Sequence, residues 1–93
     1  MMVIEERMPA GTSERRHLHM VARQFFYVLT GALTMELEGV SHVVTAGSGI
    51  EIPPQARHQA RNDSPADIRF LVVSTPSTRG DRIELDEEQG STY

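Results

Sequence analysis

His17 and His19 stand two residues apart, and on a β-strand such residues point to the same face. Their imidazoles are therefore aimed into one space. A third histidine, His58, arrives much later, beyond the turn signal Pro53-Pro54. Between them Gln24 offers a side-chain oxygen donor. Three histidines and a polar oxygen suit a mononuclear transition-metal site. Such a site needs neutral imidazoles converging within about 2.0–2.2 Å of one point, their far nitrogens held by hydrogen bonds. Gln24 is expected on the strand after His19, where the pleat returns a side chain to the same cavity. His58 is expected to close the shell from the other sheet.

The full spacings are Gly11-x5-His17-x-His19-x4-Gln24-x6-Gly31 and Gly47-x5-Pro53-x-Gln55-x2-His58-x3-Asn62. They resemble the two cupin motifs, G-x5-H-x-H-x3-4-E-x6-G and G-x5-P-x-G-x2-H-x3-N. Every fixed position of the first is met except Glu, which is Gln24 here. Every fixed position of the second is met except the middle Gly, which is Gln55. The resemblance implies an all-β cupin barrel, a jelly-roll double-stranded β-helix. It also implies one divalent transition metal (Zn, Fe, Ni, Mn or Cu) held by His17, His19, Gln24 and His58, and a homodimer. It says little about the reaction, because cupins are chemically diverse. The His-x-His-x4-Gln arrangement is similar to that of small cupin enzymes that linearise unsaturated uronates. The late strand here, Ile68 to Pro76, lacks a carboxylate near its end, so their substrate does not carry over.

Gln24 has a consequence of its own. Glu would neutralise one unit of a divalent ion's charge, whereas an amide leaves the site near +2. That favours an anionic ligand in the open positions, such as a carboxylate, enolate or hydroxide. It also removes a general base, which disfavours dioxygenases that use a metal-bound Glu in that role. Direct ligation through the amide oxygen is the expectation, with a supporting hydrogen-bonding role as the alternative.

Composition sets the remaining bounds. Ninety-three residues make one domain, and a chain of that size buries only about 60–65% of the surface its unfolded form exposes. Nine basic residues, all Arg, stand against thirteen acidic ones. No basic stretch suggests nucleic acid, since Arg15 and Arg16 are an isolated pair beside the histidines. With no Cys, disulfides and thiolate ligands are excluded. Met1 to Pro9 has no apolar core of a signal peptide, and no apolar run reaches membrane-spanning length. A cytoplasmic protein is expected.

The elements that must position the histidines are short and β-rich: Val3–Arg7, His17–Met20, Phe25–Leu29, Leu33–Glu38, His42–Val44, Gly49–Ile52, Arg57–Asn62 and Ile68–Ser74. Turn residues separate them, and no helical periodicity lasts three turns before residue 80. Many short strands with regular turns indicate an antiparallel sandwich or barrel. The barrel is expected over residues 1–76. A polar, acidic tail follows over 77–93, in which Arg82–Leu85 adds one edge strand and the rest frays. Arg79-Gly80-Asp81 spells an adhesion tripeptide, but a polar turn explains it better.

In the Phe25–Leu29 strand both faces are apolar. One fills the barrel, and the other needs a cover, expected to be a partner subunit, with the chain's own N-terminal strand as the alternative. Leu33, Met35 and Leu37 share one face of the next strand, with Thr34, Glu36 and Glu38 on the other. Arg57 and Arg61 have parity opposite to His58 and are expected in solvent. Arg69 reaches an anionic ligand only if it points inward. Asn62 is expected to serve a turn and His42 the surface; Phe26, Val28 and Met20 are candidate lining or core.

The function expected from all this is a metal-binding cupin enzyme acting on a small anionic oxygenated substrate. Isomerase or lyase chemistry of the sugar-acid kind is favoured. A dioxygenase cleaving a dicarbonyl, or a non-catalytic binding or sensor module, are the alternatives.

Overall fold

The strand expected at Phe25–Leu29 runs from Arg23 to Thr30 in the computed structural model, which describes residues 1–85. Its alternation sorts the side chains: Gln24, Phe26 and Val28 are buried, while Phe25 and Tyr27 remain 42% and 37% exposed. In chain order the strands are β1 (Met2–Met8), β2 (His17–His19), β3 (Arg23–Thr30), β4 (Ala32–Leu37), β5 (Val40–Thr45), β6 (Gly49–Ile52), β7 (His58–Arg61), β8 (Ile68–Thr75) and β9 (Arg82–Glu84). One sheet has the order β1-β8-β3-β6 and the other β5-β4-β7-β2-β9, with every pairing antiparallel. This is the all-β jelly roll that the motifs imply. Among the described residues no helix is long and apolar enough to cross a membrane.

The two sheets close on a core that changes character along its length. Val28, Phe70 and Ile68 from the first sheet meet Leu33, Met35 and Ala60 from the second, all of them almost fully buried. Truncating a buried Phe such as Phe70 to Ala costs about 3–5 kcal/mol, a large part of the stability of a chain this small. Further along the same inward faces, apolar side chains give way to polar ones. Gln24 and Ser74 are register partners on β3 and β8, and His17 and His58 are partners on β2 and β7. All four are buried.

Turn chemistry explains one of the motif glycines. Gly31 has φ 86°, and a Cβ there would lie 2.4 Å from Cγ2 of Ile68, so both conformation and space demand glycine. The β4–β5 hairpin turns through Glu38-Gly39, both at positive φ, which marks a two-residue type I′ turn. Gln55, where the motif has glycine, also sits in the left-handed region at φ 69°. Its N–H donates to the His19 carbonyl at 2.6 Å.

Three details differ from expectation or refine it. Thr34 and Glu36, on the outer face of β4, are buried rather than solvated. Arg16 is the cause at Glu36: it crosses the intervening β7 and bonds that carboxylate at 2.6 Å, which also accepts the Gly39 N–H. Next, β1 lies at a sheet edge beside β8, so it does not cover Phe25 and Tyr27. Finally, β9 pairs with β2, and the Asp81 carboxylate just before it accepts the backbone N–H groups of Met20, Val21 and Ala22. Asp81 of the adhesion-like tripeptide is thus spent on a turn. The rest of the tail, residues 86–93, lies outside the described residues.

Candidate metal centre

β2 and β7 are neighbours, and their register sets His17 directly opposite His58, with ring centroids 4.3 Å apart. The His19 ring lies 5.0 Å from that of His17 and 5.9 Å from that of His58. One ring nitrogen of each falls within 4.8 Å of the others, so the three histidines are placed to hold a metal ion. The expectation that His58 enters from the other sheet is corrected. After β6 the chain crosses the barrel through Pro53 to Ala56, and β7 joins the sheet that already carries β2. Gln24 is the group from the opposite sheet.

The backbone prepares the ligands. Nδ1 of His17 bonds the Arg15 carbonyl at 2.8 Å, and Nδ1 of His58 bonds the Ala56 carbonyl at 2.9 Å. A carbonyl only accepts, so each Nδ1 carries the proton and each Nε2 keeps its lone pair. Gln24 donates Nε2–H to Ser74 Oγ at 3.2 Å. Among the described residues, Nε2 of His58, Nδ1 of His19 and Oε1 of Gln24 are buried side-chain atoms with no hydrogen-bond partner. An acceptor buried without a partner costs about 1–3 kcal/mol. Three at one end of a barrel is the pattern that a bound cation would relieve, so this donor set fits a divalent metal.

Electrostatics keeps the imidazoles neutral. Burial lowers the pKa of all three, that of His17 to about 4, and the Arg82 guanidinium pushes each the same way. Neutral imidazole is the ligating form, so no proton must be displaced near neutrality.

Glu14 is the residue that the sequence did not bring forward. The segment before β2 runs beside β7, where the Glu14 N–H donates to the Ala60 carbonyl and its Oε1 accepts the Ala60 N–H at 3.1 Å. The carboxyl thereby lies 3.9 Å from His17 Nδ1. Burial raises its pKa to about 7, against a smaller opposing effect of the Ala60 N–H. Between about pH 4 and 7 both groups are neutral, and their approach is a contact rather than an ion pair.

His17, His19 and Gln24 line a cavity of about 140 Å³ together with Ile4, Glu6, Glu14, Phe26, Val72, Ser74, Thr78 and Arg82. Phe26 is therefore both core and lining, Val28 is core alone, and Met20 is 45% exposed. Arg69 points outward to Glu5 at 3.0 Å. Arg57 and Arg61 lie on the outer face, beside Glu38 and Asp63. Asn62 is fully buried and donates to the carbonyls of Met8 and Ala66, which ties the β7–β8 turn to β1. His42 is exposed, away from the three histidines.

A cupin-domain model matches residues 4–74. Among curated relatives, Protein SchB of Streptomyces halstedii is 32% identical over 85% of this chain and 58% of its own length. Polyketide synthase CurC of Streptomyces cyaneus is 30% identical over 74% of this chain and 45% of its own. The chain thus spans about half the length of each. Among solved structures, a sugar phosphate isomerase of the cupin superfamily from Silicibacter pomeroyi superposes with a TM-score of 0.74 at 31% identity, over 81% of this chain and 50% of that one. With matched motifs, a matching jelly roll and a family model spanning most of its length, the chain belongs to the cupin family.

Proposed function

We propose that this cupin is a metal-dependent enzyme acting on a small carbonyl compound that has an acidic C–H beside the carbonyl and carries an anionic group, by isomerase or lyase chemistry. One observation carries this reading: three neutral histidines converge, two of them lining a cavity that the half-buried Glu14 carboxyl shares. His17, His19 and His58 would hold the ion through ring nitrogens, and Gln24 through Oε1. A divalent ion bound there supplies Lewis-acid polarisation of a carbonyl oxygen. All four donors are neutral, so its charge is undiminished and an anionic oxygen is preferred over a neutral one. Glu14 faces the same space and is assigned the transfer of the α-proton. Ile4, Phe26 and Val72 give the cavity an apolar wall that limits water around the reacting carbon.

The relatives support the substrate class and no more than that. CurC is named a polyketide synthase and the Silicibacter protein a sugar phosphate isomerase. Ketone chains and sugar phosphates share a C–H made acidic by an adjacent carbonyl, and that shared chemistry is what the reading brings to this chain. The test needs no knowledge of the natural substrate. Metal-loaded protein should speed deuterium exchange from solvent into the α-position of acetoacetate or a triose phosphate, followed by proton NMR. The double variant His17→Ala/His19→Ala should lose both the exchange and its stoichiometric metal. No exchange across such probes would reject the reading. Oxygen consumption in the same tubes would favour dicarbonyl cleavage instead.

A further inference from the structure

We propose that Arg82 reads the anionic end of the substrate, and that the segment from Thr78 to Leu85 is a wall of the site. This rests on the reading above and names the group that selects for charge. Arg82 is the register partner of His19, so its side chain shares the inward face with that imidazole and lines the same cavity, next to Thr78. Its charge reaches all three histidines and Glu14. The wall is fastened at both ends: Asp81 takes three backbone N–H groups of the β2–β3 loop, and the Leu85 N–H donates to the Arg16 carbonyl.

The guanidinium is also available. Its partner is Glu84, at 3.1 Å, and the two side chains are 41% and 43% exposed. An ion pair this open is weak and readily exchanged. A ligand oxyanion lying between the guanidinium and the histidines would present two oxygens to a planar fork of donors. Beside the histidines, the other ionisable groups of the cavity, Glu6 and Glu14, are acids. Without Arg82 they would leave an incoming anion nothing attractive on the side away from the metal.

The experiment uses the protein loaded with cobalt(II), whose visible spectrum reports ligands at the ion. Acetoacetate, 2-oxopropylphosphonate and the uncharged ethyl acetoacetate are titrated by calorimetry. Wild type should bind an anion about tenfold or more tighter than the ester. Whichever of carboxylate and phosphonate wins identifies the natural oxyanion. Arg82→Gln should lower anion affinity about tenfold, narrowing the gap to the ester, while leaving ester binding and cobalt content unchanged. Arg82→Lys should recover part of the loss, and Glu84→Gln, which frees the guanidinium, should tighten anion binding. Wild-type anion affinity in Arg82→Gln, or equal affinity for anion and ester in wild type, overturns the proposal. Arg82-dependent binding without any change in the cobalt spectrum would leave Arg82 in place and sink the carbonyl-polarising reading instead.

Discussion

Glu14 and His17 titrate in opposite senses inside one cavity, and the metal-free protein should reveal both. The Glu14 pKa is raised by burial from 4.5 to about 7. Its contribution to stability is therefore full below pH 4.5 and is lost as pH rises to about 7. Burial lowers His17 from 6.5 to about 4, so its contribution is full above pH 6.5 and is lost as pH falls to about 4. Each displacement is about two and a half pH units, or about 3 kcal/mol at roughly 1.4 kcal/mol per unit. In wild type these two largely offset each other. His19 and His58, also lowered, tip the balance toward loss of stability in acid. Glu14→Gln removes one arm while its amide oxygen can still accept the Ala60 N–H. The variant should match wild type near pH 4.5 and exceed it by up to about 3 kcal/mol at pH 8. Urea unfolding with a chelator present, at pH 4.5, 6 and 8, measures the difference. A gap between the two proteins that is the same at all three pH values would refute the reasoning. Loading the metal should shrink the gap, since a nearby cation favours the ionised carboxylate.

Replacing Gln24 with Glu adds a negative charge beside the ion, worth about 1–4 kcal/mol at close range. Metal retention against a chelator should rise and carboxylate affinity fall about tenfold or more; unchanged values for both would mean that Gln24 does not face the ion. Gln55→Gly should relieve left-handed strain of about 1 kcal/mol and raise the melting temperature by about 4–8 °C, a gain that calorimetry would detect and whose absence would discount the strain. We also expect a homodimer built on the exposed face of Phe25 and Tyr27. The double change Phe25→Ser/Tyr27→Ser should shift sedimentation to the monomer, and a wild type already monomeric at micromolar concentration would contradict it.

The barrel was legible because its signals are local. Alternation in β3 separates Gln24, Phe26 and Val28 from Phe25 and Tyr27, and the His-x-His pair needs only a period of two to share a face. What the sequence hides depends on pairing across the chain. Nothing local says that β7 lies beside β2, and the expectation for His58 names the wrong sheet for that reason. Glu14 sits in a segment with no periodicity, and only its bonds to Ala60 turn it toward the histidines. Arg82 falls in the one tail segment expected to form an edge strand, but nothing local says that this strand pairs with β2 and makes Arg82 register partner to His19. Arg16, one of an isolated basic pair in sequence, is committed to Glu36 two strands away.

The two departures from the motifs bracket the same imidazole. Gln24 follows His19 on the next strand, and the Gln55 N–H holds the His19 carbonyl. Glycine at position 55 would reach that carbonyl without strain, so the motif's preference is a matter of backbone energy. Glutamine can stand there because the bond to His19 offsets part of the left-handed cost. At position 24 the amide has a different consequence. Its N–H is committed to Ser74, which leaves the carbonyl oxygen as the free donor and keeps the ligand set neutral. One substitution is thus absorbed by the backbone, while the other changes what the cavity attracts. On the proposed reading, a metal held there would keep its full charge under a wall carrying Arg82, and the two together would draw in anions.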